Sequence, residues 1–117
     1  MGQKIYFCKK NSMSVLVEFA MFPTDKGESV SSYVARIIKW LEEQKVSYQL
    51  TAMGTIFETE TMSEALKILE GAYKQLENDC NRVYSIAKFD VRKGKTNRML
   101  QKIASVQHKL QAEANDK

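Results

Sequence analysis

The sequence predicts an α+β fold, and three observations carry that expectation. Apolar and polar residues alternate with period two over 14–22, 46–51, 55–60 and 82–91. Two stripes of apolar residues at helical spacing separate these runs, and a narrower third stripe closes the chain. Strand, helix, strand, strand, helix, strand is the order of a ferredoxin-like βαββαβ sandwich: a four-stranded antiparallel sheet with two helices on one face, here with an extra C-terminal helix.

In the first run, SVLVEFAMF, residues Val15, Val17, Phe19 and Met21 share one face and Leu16, Glu18, Ala20 and Phe22 the other. Pro23, Asp25 and Gly27 make PTDKGE a loop. Val30, Tyr33, Val34, Ile37, Ile38 and Leu41 then form one helical stripe, with Ser29 as the expected N-cap and an end near Lys45. QLT, AMG and TIFETE divide into strand, turn and strand, with Gly54 placed to take a positive φ in the reversal. Thr61 and Glu64 form a capping-box pattern ahead of the second helix, whose inner face is Met62, Ala65, Leu66, Leu69, Ala72, Tyr73 and Leu76.

RVYSIAKFDV reads as the fourth strand. The last helix, over 96–113, carries Met99, Ile103, Val106 and Leu110 as a narrow seam that packs on the parent sheet or on a partner subunit. Apolar residues on both faces of the first and fourth strands predict that the second sheet face is also buried, with self-association as the means of covering it.

A chain of 117 residues accommodates one domain, assigned to 13–113, with 1–12 a leader or flexible N-terminus and 114–117 a tail. The first dozen residues leave three readings open: a disordered leader, an extra edge strand, or appended sequence. At 44% hydrophobic and 27% charged, the composition is that of a soluble globular chain. Its 18 basic and 14 acidic residues are intermixed, which describes a solvated surface and not a nucleic-acid footprint. Cys8 and Cys80 lack CxxC spacing and lie far from His108, so neither a metal centre nor a disulfide framework is expected. Without a membrane-length apolar run or a secretory signal, the expected location is cytoplasmic, with no membrane partner.

Gly94-Lys95-Thr96 is the tail of a phosphate-binding loop, but Phe89 stands where the pattern needs its first glycine, so the cradle is not built. His108, between Gln107 and Lys109, sits at a polar helix position, and no catalytic residue set can be assembled around it. RNA-recognition modules share this element order, yet TIFETE has carboxylates where they need basic and aromatic residues. A small flat cation fits the composition better. Hydroxyls of Ser31, Ser32, Tyr48, Thr51, Thr55 and Thr59, carboxylates of Glu58 and Asp90, and rings of Phe19, Phe22, Tyr33 and Phe57 fall near one sheet. Solvent-facing threonines on an ordinary sheet are the competing reading.

The runs ESVSSYVARI, SYQLTAMGTIFET and RVYSIAKFDVR together resemble the YkoF-like thiamine-binding protein family. The family pattern has a proline ending the first strand, an S-x-S-x-Y-V-A-like helix start, a Y-x-L-x-x-M-G-T hairpin and a basic end to the last strand. Here these fall at Pro23, 29–35, 48–55 and 82–92. Ala52 departs from the proline that the family often carries before its methionine, and the leader has no counterpart. The resemblance implies a protomer that assembles through its sheets into a homodimer or a dimer of dimers. It also implies binding of thiamine or its hydroxymethylpyrimidine moiety without catalysis, with no cofactor required. Carried over residue by residue, it puts Ser32, Tyr33, Met53, Gly54, Thr55 and Glu58 at the ligand, with Asp90 and Arg92 as further candidates. The alternative is an oligomeric structural or regulatory module whose partner is another protein.

Overall fold

The structure, a computed structural model, describes residues 2–6, 13–94 and 97–115. Its elements run β1 (Gln3–Lys4), β2 (Met13–Pro23), α1 (Ser31–Glu43), β3 (Ser47–Thr51), β4 (Gly54–Thr59), α2 (Met62–Glu77), β5 (Val83–Lys93) and α3 (Arg98–Asn115). The sheet order is β1-β3-β4-β2-β5, with antiparallel pairing throughout. The ferredoxin-like α+β arrangement is therefore present with one strand more than the alternation predicts. Gln3 and Lys4 pair with Gln49 and Tyr48, too short a run to leave a period-two signal.

Val15, Val17, Phe19 and Met21 of β2 are buried with Phe57 of β4, Ile37 and Leu41 of α1, and Ala65, Ala72 and Leu76 of α2. Phe19 and Phe57 meet edge to face at 5.6 Å. The two helices touch through Trp40, whose indole N–H donates to the Ile68 carbonyl at 3.0 Å. Gly71 makes that approach possible, because a Cβ there would lie 2.0 Å from the Trp40 ring. A second tie comes from Arg36, which donates to both carboxylate oxygens of Asp79 at 3.1 and 2.8 Å and to the Gln75 carbonyl at 3.0 Å. The Arg36 guanidinium also stacks 4.6 Å above the Tyr33 ring.

Local chemistry sets the ends of the elements. Thr61 caps α2 by accepting from Glu64 N at 3.1 Å, as the capping-box pattern predicts. The N-cap of α1 is Val30, not Ser29, and it makes no side-chain capping bond. Lys45, at φ 54°, turns the chain out of α1. Gly54 corrects a second expectation, since it begins β4 without a positive φ. Its hydrogen is needed for a different reason: a Cβ would come 2.8 Å from the Phe19 carbonyl oxygen on the neighbouring strand. The reversal is held by Thr51, whose hydroxyl accepts from Met53 N at 3.2 Å and Gly54 N at 3.1 Å and donates to Gly54 O at 2.9 Å.

The outer face of the sheet is covered only at one end. Met99, in the first turn of α3, is buried there, while Val106 and Leu110 further along the helix are exposed. At the other end Tyr84 and Ile86 stand in solvent. The sequence reading assigns the covering of this remaining surface to self-association, which a single chain does not test.

Candidate functional site

The α1 start, the end of β2 and the β3–β4 hairpin enclose a cleft of about 920 Å³, within the range of small-molecule sites. Phe19 to Phe22 form its floor, Val34, Ile37 and Ile38 one wall, and Leu50 to Thr55 the other. Polar groups are few and placed at its edges: Ser29 and Ser31 at the head of α1, Thr51 and Thr55 on the hairpin, and Lys39 and Glu42 on the outer turns of α1. The two opposite charges leave the lining without net charge.

Thr55 is the polar residue set deepest among these. Only 5% exposed, it points to the helix side of β4, opposite Phe19 of β2. Its hydroxyl has no hydrogen-bond partner among the described residues. Among the described residues no fully enclosed side-chain polar atom lacks a partner, so this hydroxyl opens to the cleft and not to the core. Met53 stands at the hairpin tip with 88% of its surface exposed, next to the mouth.

The sequence-derived candidates divide between the two faces of the sheet. Met53, Gly54 and Thr55 line the cleft. Ser32 is exposed on the first turn of α1, and Tyr33 is half-buried under Arg36; neither lines the cleft, although the neighbouring Ser29, Val30 and Ser31 do. Glu58, Asp90 and Arg92 lie on the opposite face. There Glu58 accepts from Ser14 Oγ at 2.6 Å, Arg98 N at 2.8 Å and Met99 N at 3.2 Å, so it serves as the N-terminal anchor of α3. Arg98, its side chain 10% exposed, pairs with the Asp90 carboxylate at 3.0 Å, donates to Ser14 Oγ at 3.0 Å, and reaches the Ser14 and Asp90 carbonyls. Asp90 and Arg92 border a hollow of about 490 Å³ beneath α3.

Leu50, Ile38, Lys39 and Glu42 also line the cleft and were not singled out from sequence. Their signal was available only as helix phase and strand parity, both of which also describe ordinary core and rim positions. Tyr48 is buried, and that burial, with the Glu42 carboxylate close by, pushes its phenol above the usual range. Burial likewise raises the Cys80 thiol, which disfavours the thiolate needed of a nucleophile. Among the described residues, no group of His, Cys, Asp and Glu is placed to hold a metal ion. Lys95 and Thr96 of the basic loop lie outside the described residues.

An apolar cleft rimmed by hydroxyls, set between α1 and the hairpin of a ferredoxin-like sheet, gives this α+β domain a cavity of the size and lining that suit a small molecule. The chain belongs to the thiamine-binding protein family, whose model matches residues 17–107. It is 35% identical over 92 residues to the UPF0045 protein MJ1052 of Methanocaldococcus jannaschii, covering 79% of this chain and 91% of that one. A UPF0045 protein of Mycobacterium bovis is 34% identical over 98 residues, 84% of this chain and 96% of the relative. The crystal structure of MJ1052 superimposes with a TM-score of 0.71, covering 80% of this chain and 95% of that one, at 34% identity. The fold also matches that of a Thermotoga maritima protein proposed to act in thiamine biosynthesis or salvage, at TM-score 0.61 and 18% identity, over 80% of this chain and 98% of that one. No helix among the described residues is long and apolar enough to cross a membrane.

Proposed function

We propose that the cleft binds thiamine or its hydroxymethylpyrimidine moiety without catalysis, the protein serving as a cytoplasmic carrier or sensor. The observation that carries this reading is Thr55: a residue only 5% exposed whose hydroxyl borders an apolar cleft and has no hydrogen-bond partner among the described residues. The amino and ring-nitrogen edge of a pyrimidine offers both a donor and an acceptor to such a hydroxyl. The Phe19 and Met21 side chains and the aliphatic wall of α1 give a flat heterocycle its apolar contact, and Glu42 supplies a carboxylate for a thiazolium. Membership of the thiamine-binding family and the role proposed for the Thermotoga maritima neighbour support the same ligand class.

The protomer acts in this reading as a homo-oligomer, a dimer or a dimer of dimers. The bare apolar residues Tyr84 and Ile86 on the outer sheet face favour that state, and they are also what favours the alternative of an oligomeric structural or regulatory module.

Isothermal titration with thiamine, hydroxymethylpyrimidine and thiamine diphosphate tests the proposal. Saturable binding of one of them is expected, and Thr55→Val, which keeps the shape of the side chain and removes its hydroxyl, should weaken it by roughly three- to tenfold, the value of one net hydrogen bond. No heat with any of the three, or equal affinity in the folded variant, overturns it.

A further inference from the structure

The head of α1, at the mouth of the cleft, is left uncapped. Val30 stands at the N-cap position without a side-chain bond to the helix, and the first turn holds no acidic residue. The earliest helix amides to find an acceptor are those of Tyr33 and Val34, both on the Val30 carbonyl at 3.0 Å. The N–H groups of Ser31 and Ser32 therefore point out of the helix end without an acceptor among the described residues. Beside them the Ser29 and Ser31 hydroxyl oxygens lie 3.5 Å apart, so at most one hydrogen is shared and at least one O–H is free to donate outward. Two amides and a hydroxyl at the positive end of a helix of 13 residues offer three donors to an oxyanion.

A helix end alone does not specify a ligand. The second observation is Thr55, which lines the same cleft, is 5% exposed, and has a hydroxyl without a partner among the described residues. Strand register brings the two features to one end of the sheet. Thr55 pairs with Phe19, and four residues later β2 ends at Pro23, from which a short loop leads to Ser31.

We propose that the cleft is selective for a phosphate monoester of its heterocycle, with the ring at Thr55 and the phosphate at the head of α1. This rests on the reading of the cleft as a site for thiamine or its pyrimidine half, and it names the chemical form taken. A ring and a phosphate held at one end of the cleft suit the pyrimidine half phosphorylated on its hydroxymethyl group. In thiamine phosphates the phosphate hangs from the other ring.

The charges nearby leave this position open to an anion. Lys39 and Glu42 follow Ser31 by two and three turns, roughly 12 and 16 Å along the axis, so the Glu42 carboxylate lies well away from the phosphate. Lys26 and Glu28 of the preceding loop are outside the cleft lining, and Asp25 accepts from Asn81 N at 2.8 Å. Arg92 and Lys102 border the hollow beneath α3, across the sheet from the cleft.

The test is isothermal titration of the full-length chain with hydroxymethylpyrimidine and its phosphate monoester, and with thiamine and thiamine monophosphate. The pyrimidine phosphate should bind on the order of tenfold more tightly than the free alcohol, with no comparable gain from thiamine to its monophosphate. Ser31→Asp places a carboxylate at the helix end, where it favours the helix but occupies and repels the anion subsite, so the ratio of the two pyrimidine affinities should fall toward one. Phosphorus NMR of the native chain gives a readout that needs no variant: the bound monoester, whose free pKa is about 6, should stay dianionic to lower pH. Absence of binding by all four compounds overturns the cleft reading and this inference together. Equal affinity for the two pyrimidines, a gain confined to thiamine monophosphate, or a ratio that survives Ser31→Asp overturns the phosphate subsite and leaves the cleft reading standing.

Discussion

Replacing Glu58 by Gln separates a ligand role from a structural one. The Glu58 carboxylate takes three donors, with Ser14 Oγ and Arg98 N on one oxygen and Met99 N on the other. Glutamine keeps the shape but retains one acceptor, so its amide group must oppose at least one of the helix N–H donors. Losing a bond to a charged acceptor removes about 1.5–3 kcal/mol, and losing the negative charge at a helix N-terminus about 0.3–1 kcal/mol. Because glutamine still accepts on one side, a net loss of about 2 kcal/mol is expected.

Beyond its first turn α3 is largely exposed, so the loss falls on α3 before it falls on the whole domain. Hydrogen exchange followed by mass spectrometry should show α3 amides exchanging roughly thirtyfold faster, the equivalent of that free energy, with β2 and β4 unchanged. A place at the ligand, which the resemblance implies for Glu58, would give the reverse: weaker ligand binding at an unaltered melting temperature. Unchanged exchange in α3 together with lost ligand affinity would refute the anchoring argument and return Glu58 to the ligand.

Two further predictions concern the contact between α1 and α2. Gly71→Ala drives a methyl into the Trp40 ring, 2.0 Å from its nearest atom, so crowding of about 1–3 kcal/mol outweighs the helix-propensity gain of about 1 kcal/mol. A lower melting temperature and altered emission of the single tryptophan are expected, and a stabilised protein would count against this packing. The second is a pH dependence. The Arg36 guanidinium, hydrogen-bonded to both oxygens, holds the Asp79 carboxyl below the usual carboxylate range. A folded-state pKa below the unfolded value means stability present above the ordinary carboxylate range and lost as pH falls through the folded value. The melting advantage of the native chain over Asp79→Asn should therefore shrink on acidification, and a difference independent of pH would remove the pair from the account.

The sheet and its two inner helices were legible because each buries one face, and burial on one face is what creates period-two and period-3.6 patterns. Val15, Val17, Phe19 and Met21 occupy the core as their alternation predicts. β1 was legible only as one of three readings of the first dozen residues, an extra edge strand, since a strand of two exposed residues buries nothing and leaves no pattern. Gly54 was read as taking a positive φ, which it does not, yet a glycine is needed there for another reason. Sequence identifies a position where a side chain is unwelcome without saying whether φ or a neighbouring carbonyl forbids it, and here the carbonyl is that of Phe19.

The division of the candidate site was legible too, though only through parity. Thr55 and Glu58 stand three residues apart on one strand, and an odd separation puts them on opposite faces of the sheet. The same rule aligns Asp90 and Arg92 with Tyr84 and Ile86 on the outer face, away from the helices. A single pocket could join Thr55 to Glu58 only around a sheet edge or through a bulge. β4 is neither an edge nor bulged, because its residues pair in unbroken register with β2 on one side and β3 on the other. The chemistry that suits a small flat ligand therefore concentrates on the helix side around Thr55. The acidic residues of the outer face, Glu58 and Asp90, hold the start of α3 instead.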